Sequence, residues 1–407
     1  MVLRIPKISV FTIFAIIPIL YFNSCTFEFV KHLPFVLPMV LVCVLIWGLF
    51  LLRRGITVRL NKLIPMAVFA LVLGALVLMG VQSQVEVLMS DLKNTIYILF
   101  FMLVFVVYSD DRYKNDRALI VFICITDIVI SGIYSIYRLI EEPTLSRLLS
   151  TGSYHSTQAA ENARGIVSFG VVYGLVLTLL VLFYLIMKKR EYRLLNIILF
   201  SLFTAVLFFA QFLIAICLLG IGCSVIFLVN HFEDRKNNRT RFLCFLAILF
   251  ICICMLPFVF GFILESDLFG DEINARLREI LKFFRGENLD GTDLSVRFLQ
   301  YFISLSAFTA SYGMGKMVVN SVTVGIHSQW LDGLGNYGLL YILFIIALFL
   351  FHKFVLQIMP DKSSKQIYGI VFIIYVIMSL TNTSTWAPIT LSLFVIVPFL
   401  CLDKVSE

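Results

Sequence analysis

Apolar blocks separated by short charged segments run the length of the chain. A span needs about 20 apolar residues to cross the hydrocarbon core of a bilayer. By that measure the sequence predicts twelve spans: 8–23, 33–52, 62–81, 93–108, 118–137, 165–187, 194–210, 212–230, 242–263, 337–357, 366–381 and 386–402. The stretch 194–230 is nearly continuous and too long for one crossing, so a tight hairpin near Gln211 divides it. The predicted fold class is therefore an all-α polytopic membrane protein, with about 12 transmembrane helices and one large external loop containing short helices. Residues 1–263 carry spans one to nine, 264–336 form the loop, and 337–407 carry spans ten to twelve.

Composition agrees with that pattern. The 407 residues are 60% hydrophobic and only 14% charged, where a soluble domain carries roughly 25% charged residues. A net charge of +7 would suggest nucleic acid in a soluble protein. Here the basic residues mark cytoplasmic loops, and no nucleic-acid partner is expected. With the N-terminus inside, about two thirds of the 32 Lys and Arg fall on cytoplasmic segments such as RRGITVR, DDRYKNDR, KKREYR and DRKNNRTR. Both termini are then cytoplasmic and the long loop faces outward. Arg4 and Lys7 before an apolar run resemble a signal peptide, but no small-residue cleavage site follows, so 8–23 is read as an uncleaved first span. Most of the nine cysteines sit inside apolar runs, which predicts no disulfide framework.

The outer loop is where chemistry can reside. Ile273, Leu277, Ile280, Leu281 and Phe284 recur at helical spacing, with Arg276, Arg278, Glu279, Lys282 and Arg285 mainly on the other faces. This amphipathic helix could lie on the membrane and attract lipid or diphosphate head groups, or could simply tether the loop. After a turn at 288–291, Thr292 or Asp293 caps a second helix. On it Asp293, Arg297, Gln300 and Ser304 form one polar stripe. Arg297 sits among Val296, Phe298 and Leu299, at a membrane boundary where a cation is costly without an anionic partner. That partner is either Asp293, one turn away, or a phosphate, which suits the guanidinium fork.

Downstream, Gly313 and Gly315 permit a sharp turn, and His327 opens a helix that carries Asp332 about one turn later. Histidine can take a proton from an acceptor hydroxyl near neutral pH, or orient that hydroxyl. A second outer segment, 138–164, ends in Arg164, which is either an interfacial anchor or a phosphate ligand. The chain has no Walker loop, HExxH, CxxC pair, GxSxG or dense acidic cluster, so no metal and no cofactor are expected. A transporter or flippase also fits this span count. Such proteins show repeats and mid-span charges; this chain has one clear mid-span charge, Asp127, and no repeat. A non-enzymatic scaffold would not need Arg297 and His327 together.

The segments SVRFLQYFISLSAF, YGMGK and IHSQWLDGLGNYGLLYIL, with the late outer loop, resemble the O-antigen ligase and polymerase superfamily of bacterial surface polysaccharide assembly. The resemblance implies a GT-C-type fold in the bacterial inner membrane with its active face outward. It implies metal-independent, inverting glycosyl transfer from an undecaprenyl-diphosphate-linked oligosaccharide, with membrane lipid and a chain-length regulator protein as further partners. By that resemblance His327 and Arg297 are catalytic, Arg297 and Arg164 grip diphosphate, and Arg278, Gln300 and Asp332 bind substrate. Ligases carry a Ser-Arg or Thr-Arg pair where this chain reads FFAQFLIAIC, and Asn where it has Ser328. Those departures favour a polymerase of repeat units over a ligase that transfers the glycan to lipid A core.

Overall fold

The computed structural model describes residues 9–23, 33, 35–53, 85–142, 145–146, 165–188, 192–231, 257–258, 260–262, 264–265, 271–319, 321–325 and 327–402. Every regular element among them is a helix. In chain order these are α1 (Val10–Asn23), α2 (Val36–Arg53), α3 (Val85–Tyr108), α4 (Lys114–Glu141), α5 (Phe169–Lys188), α6 (Arg193–Ala210), α7 (Leu213–His231), α8 (Asp271–Phe284), α9 (Asp293–Ala310), α10 (Gln329–Tyr337), α11 (Leu340–Ile358), α12 (Lys362–Thr381) and α13 (Ala387–Leu402). Among the described residues seven helices are long and apolar enough to cross a membrane, and Val10–Phe22, Ile96–Tyr108 and Ala387–Leu402 are apolar but shorter. The predicted spans 62–81 and 242–263 lie outside the described residues, save 257–258 and 260–262. The other predicted spans all fall on helices.

The bundle is built around α5. This helix is apolar on every side, and 83% of its span is buried by α6, α7, α12 and α13. In a bilayer, lipid tails are as apolar as leucine, so helices associate through close packing of small residues rather than by leaving water. Gly174 provides that closeness: a Cβ there would lie 2.7 Å from the Pro388 carbonyl oxygen and 3.0 Å from Ser392 Oγ of α13. Gly222 of α7 fits against Leu180 in the same way. Helices α6 and α7 meet at Gln211, a left-handed residue with φ +58°, so the apolar stretch breaks where its length required. Elsewhere α1 is fixed by the buried Asp116 of α4. Its carboxylate accepts from the Ser9 amide at 2.8 Å and from the Thr12 hydroxyl at 2.6 Å, an anion seated at a helix N-terminus.

Helices α8 and α9 form a hairpin outside this bundle. Its turn closes through Asn288, which accepts from the Asp290 amide at 2.9 Å, with Gly286 and Gly291 at positive φ. Thr292 is the cap of α9, accepting from the Ser295 amide at 3.3 Å. Part of the apolar face of α8, read above as able to lie on the membrane, is covered by protein, while Phe284 stays exposed. Leu277 and Leu281 are buried against Leu213 and Cys217 of α7 and against Phe260 and Leu264. Helix α9 leaves one apolar side exposed, from Val296 to Leu305.

The close approach at Gly174 has a direct consequence. Gly174→Val is expected to lower the thermal midpoint of the detergent-purified protein, at a cost of about 1–3 kcal/mol from overpacking. Gly48→Val, in open space on α2, should leave the midpoint unchanged.

Candidate functional site

The polar stripe of α9 is real, and the structure distributes it among three partners. Asp293 is ion-paired with Arg276 of α8, whose guanidinium also stands 3.9 Å from Glu279. The Asp293 carboxylate is thus engaged across the hairpin rather than along its own helix. Arg297, one turn on, is left with Nη1 buried and without a hydrogen-bond partner among the described residues. Gln300 Oε1 is in the same state. Buried polar atoms are nearly always satisfied, so two adjacent orphans on one stripe point to a ligand or water position. Ser304, the last of the stripe, is fully buried and donates to Asp332 Oδ1 at 2.5 Å.

Asp332 in turn fixes the start of α10. Its other oxygen accepts from the Ser328 amide at 2.9 Å, while Ser328 Oγ caps the helix by accepting from the Leu331 amide at 3.2 Å. Ser304 Oγ also accepts from the Gly325 amide at 2.9 Å. The backbone on both sides of residues 326–327 is therefore tied to α9 through one carboxylate and one hydroxyl. Gly325 and Gly335 allow this approach, since a Cβ at either would press on α9 at Gln300 or Ser304. Gln329 carries the connection inward. It donates to Tyr341 at 3.0 Å and to the Asn382 carbonyl at 3.2 Å, and it accepts from Thr385 at 3.0 Å. Tyr301 of α9 donates to the Thr381 carbonyl at 3.0 Å, at the C-terminal end of α12. The turn at 313–315 predicted from its glycines is present, with Gly313 and Gly315 at positive φ and the Leu339 amide bonded to the Gly313 carbonyl at 2.8 Å.

Electrostatics draw His327 into the same group. Its pKa is held below the usual histidine value, first by burial and then by the guanidinium charges of Arg297 and Arg276. Burial likewise lowers the pKa of Arg276, with Glu279 opposing and Arg297 adding to the fall. The Tyr301 hydroxyl is pushed up by burial, with Arg297 pulling against that shift. The arrangement is a neutral imidazole beside two cations, one of them lacking a carboxylate. It can receive an anion at Arg297 and a proton at His327.

Of the residues expected from sequence, His327, Arg297, Gln300 and Asp332 converge here. Both oxygens of Asp332 hold the frame, which makes it a positioning residue. Arg278 stands exposed on α8, and the α8 cation within electrostatic reach of His327 is Arg276. Arg164 lies outside the described residues. Arg276, Tyr301 and Gln329 are the members that the sequence did not single out as site residues. A signal for Arg276 existed: it lies three residues after Ile273 and four before Ile280, so it shares the flank of the buried face.

The depressed pKa of His327 has a defined sign. Above the ordinary value of 6.5 the ring is neutral whether folded or not, and the shift does nothing. As pH falls through 6.5 the unfolded chain takes up the proton first, so the fold loses stability. His327→Gln is expected to remove that acid-side loss, read as a flatter dependence of thermal midpoint on pH below 6.5. Arg297→Gln should raise the His327 pKa in an NMR titration of the ring.

No curated protein matches this sequence. Residues 19–264 match the TgpA N-terminal domain, a stretch that contains α2 to α7 whole and stops before α8. The match spans more than half of the 407 residues, and the chain belongs to the TgpA N-terminal domain family.

Proposed function

We propose that the chain is an inner-membrane polysaccharide polymerase that joins lipid-diphosphate-linked oligosaccharide units on the outer face of the membrane. The observation that carries this reading is the buried, unmatched Nη1 of Arg297 beside a neutral His327 and a second guanidinium, Arg276. A guanidinium donates parallel hydrogen bonds to phosphate and never deprotonates, which suits a diphosphate leaving group. In the reaction the acceptor hydroxyl oxygen forms a bond to the anomeric carbon from the face opposite the departing group. The bond from that carbon to the diphosphate oxygen breaks, and its electron pair leaves on the lipid diphosphate. The hydroxyl proton passes to His327. The arginines stabilise the charge that develops on the leaving oxygen, and no metal is required for that role. Gln300 supplies an acceptor atom for a sugar hydroxyl, and Arg164 is retained as a second diphosphate ligand.

The same proposal includes the topology. Twelve crossings place both termini in the cytoplasm and α8 to α10 outside, in line with the distribution of Lys and Arg. Reporter fusions at Arg190, Lys236 and Lys404 are expected to read as cytoplasmic, and one at Asn288 as external. A cytoplasmic reading at Asn288 would remove the external site.

The reaction is tested with purified protein in nanodiscs, given an undecaprenyl-diphosphate repeat unit and EDTA. A ladder of longer lipid-linked glycans is expected. Arg297→Ala and His327→Ala should each lower its rate by roughly a hundredfold or more. Transfer to a lipid A core acceptor without a ladder would make the protein a ligase. No transfer, with flux of the lipid-linked unit across a vesicle, would make it a transporter.

A further inference from the structure

Helix α9 crosses the outer ends of the spanning helices. Tyr301, near its middle, bonds the last residue of α12, and the turn after its C-terminus bonds Leu339 at the start of α11. One side of α9 faces this frame with Arg297, Gln300 and Ser304. On the other side, every exposed residue from Val296 to Leu305 is a large hydrophobe: Val296, Phe298, Leu299, Phe302 and Leu305. Phe302 is 66% exposed and Leu299 is 59% exposed, values unusual for such residues against water. The stripe continues through Met314 and Leu339 into the exposed face of α11 at Leu343 and Ile346, on a helix that is apolar and long enough to span. Beside it, Phe283 of α8 packs on Phe298 with ring centroids 6.1 Å apart. Arg278, Lys282 and Arg285 recur on the exposed side of α8 at spacings of four and three.

From this we infer that the outward face of α9 is inserted in the outer leaflet, with bilayer acyl chains as its occupant. Continuity with the apolar outer face of α11 supplies one argument. The second is charge: the α8 cations stand beside the stripe as a row suited to lipid phosphates, and no charged residue interrupts the stripe itself. An interfacial helix buries its apolar face about 5–10 Å into the headgroup and acyl boundary. The Arg297 side of α9 would then lie at headgroup level, where a lipid-borne anion presents its phosphate. This assignment is independent of the reaction catalysed.

The test uses the full chain in nanodiscs. Phe302→Trp and, separately, Leu305→Trp each add one emitter to the three native tryptophans, and the parent signal is subtracted. Phosphatidylcholine with dibrominated acyl chains is expected to quench the added emission about twofold relative to unbrominated lipid, with little quenching by aqueous acrylamide. Quenching by acrylamide with none by brominated lipid overturns the inference. So does protection from both quenchers together with a crosslinked dimer, since a second copy would then cover the stripe. Using two positions guards against one variant misfolding.

Discussion

Asp332 accepts from the Ser304 hydroxyl and from the Ser328 amide, and the outer part of the molecule is held in register by that carboxylate. Ser304 belongs to α9, whose other attachment is to the end of α12 through Tyr301. Ser328 begins α10, which Gln329 ties to Tyr341, Asn382 and Thr385. Removing the carboxylate would leave the Ser328 amide without this partner and the Ser304 hydroxyl with only the Gly325 amide and the Gln300 carbonyl, and would loosen the segment that carries His327 from the helix that carries Arg297. A buried hydrogen bond to a charged acceptor is worth more than a neutral one, and its loss costs more than it gained. The imidazole and the guanidinium are thus kept near each other by a third residue, Asp332.

The charge distribution around that frame is uneven. Arg276 is neutralised by Asp293 and flanked by Glu279, so one of the two cations that act on His327 has its carboxylate. Arg297 has no such carboxylate among the described residues, and it acts on the Tyr301 phenol and on His327, whose protonation it opposes. A protein that needed Arg297 only for stability would have gained by giving it an acid. Two like charges in a half-buried setting, with one nitrogen unmatched, store repulsion that an incoming anion relieves. That is the physical basis for proposing a phosphate there.

Most of this outer architecture could be read from the sequence because its signals are local. The Thr292 cap, the glycine turns and the polar stripe of α9 each depend on residues within a few positions of one another. The break at Gln211 followed from length alone: no single helix can use that much apolar sequence. What local pattern could not give was partnership. Asp293 is four residues from Arg297 and on the same face, yet it pairs with Arg276, because the hairpin brings α8 nearer than the next turn of its own helix. The amphipathic pattern of α8 was correct, but amphipathicity does not name the surface that covers the apolar face. That surface turned out to be Leu213 and Cys217, distant in sequence. For α9 the argument inverts, since a helix apolar on its outer side reads as buried until the fold leaves that side open.

The family match ends where the candidate site begins. Residues 19–264 cover α5 and two of the helices packed on it, α6 and α7, whereas α8 to α13 follow the matched stretch. The two regions obey different constraints. Around α5, small residues set the distances between helices, and some polar atoms bond within the bundle, as with Ser9, Thr12 and Asp116, while others, such as Thr204 Oγ1 and the Tyr368 hydroxyl, make no hydrogen bond there among the described residues. In α8 to α10, charged groups are brought together at some electrostatic cost, and Arg297 Nη1 and Gln300 Oε1 are left unmatched on one face of α9. A scaffold of the first kind can carry many chemistries, because function resides in the site placed on it rather than in the helices that support it. On the proposed reading the chemistry belongs to α8 to α10, and the packed spans fix where that segment stands.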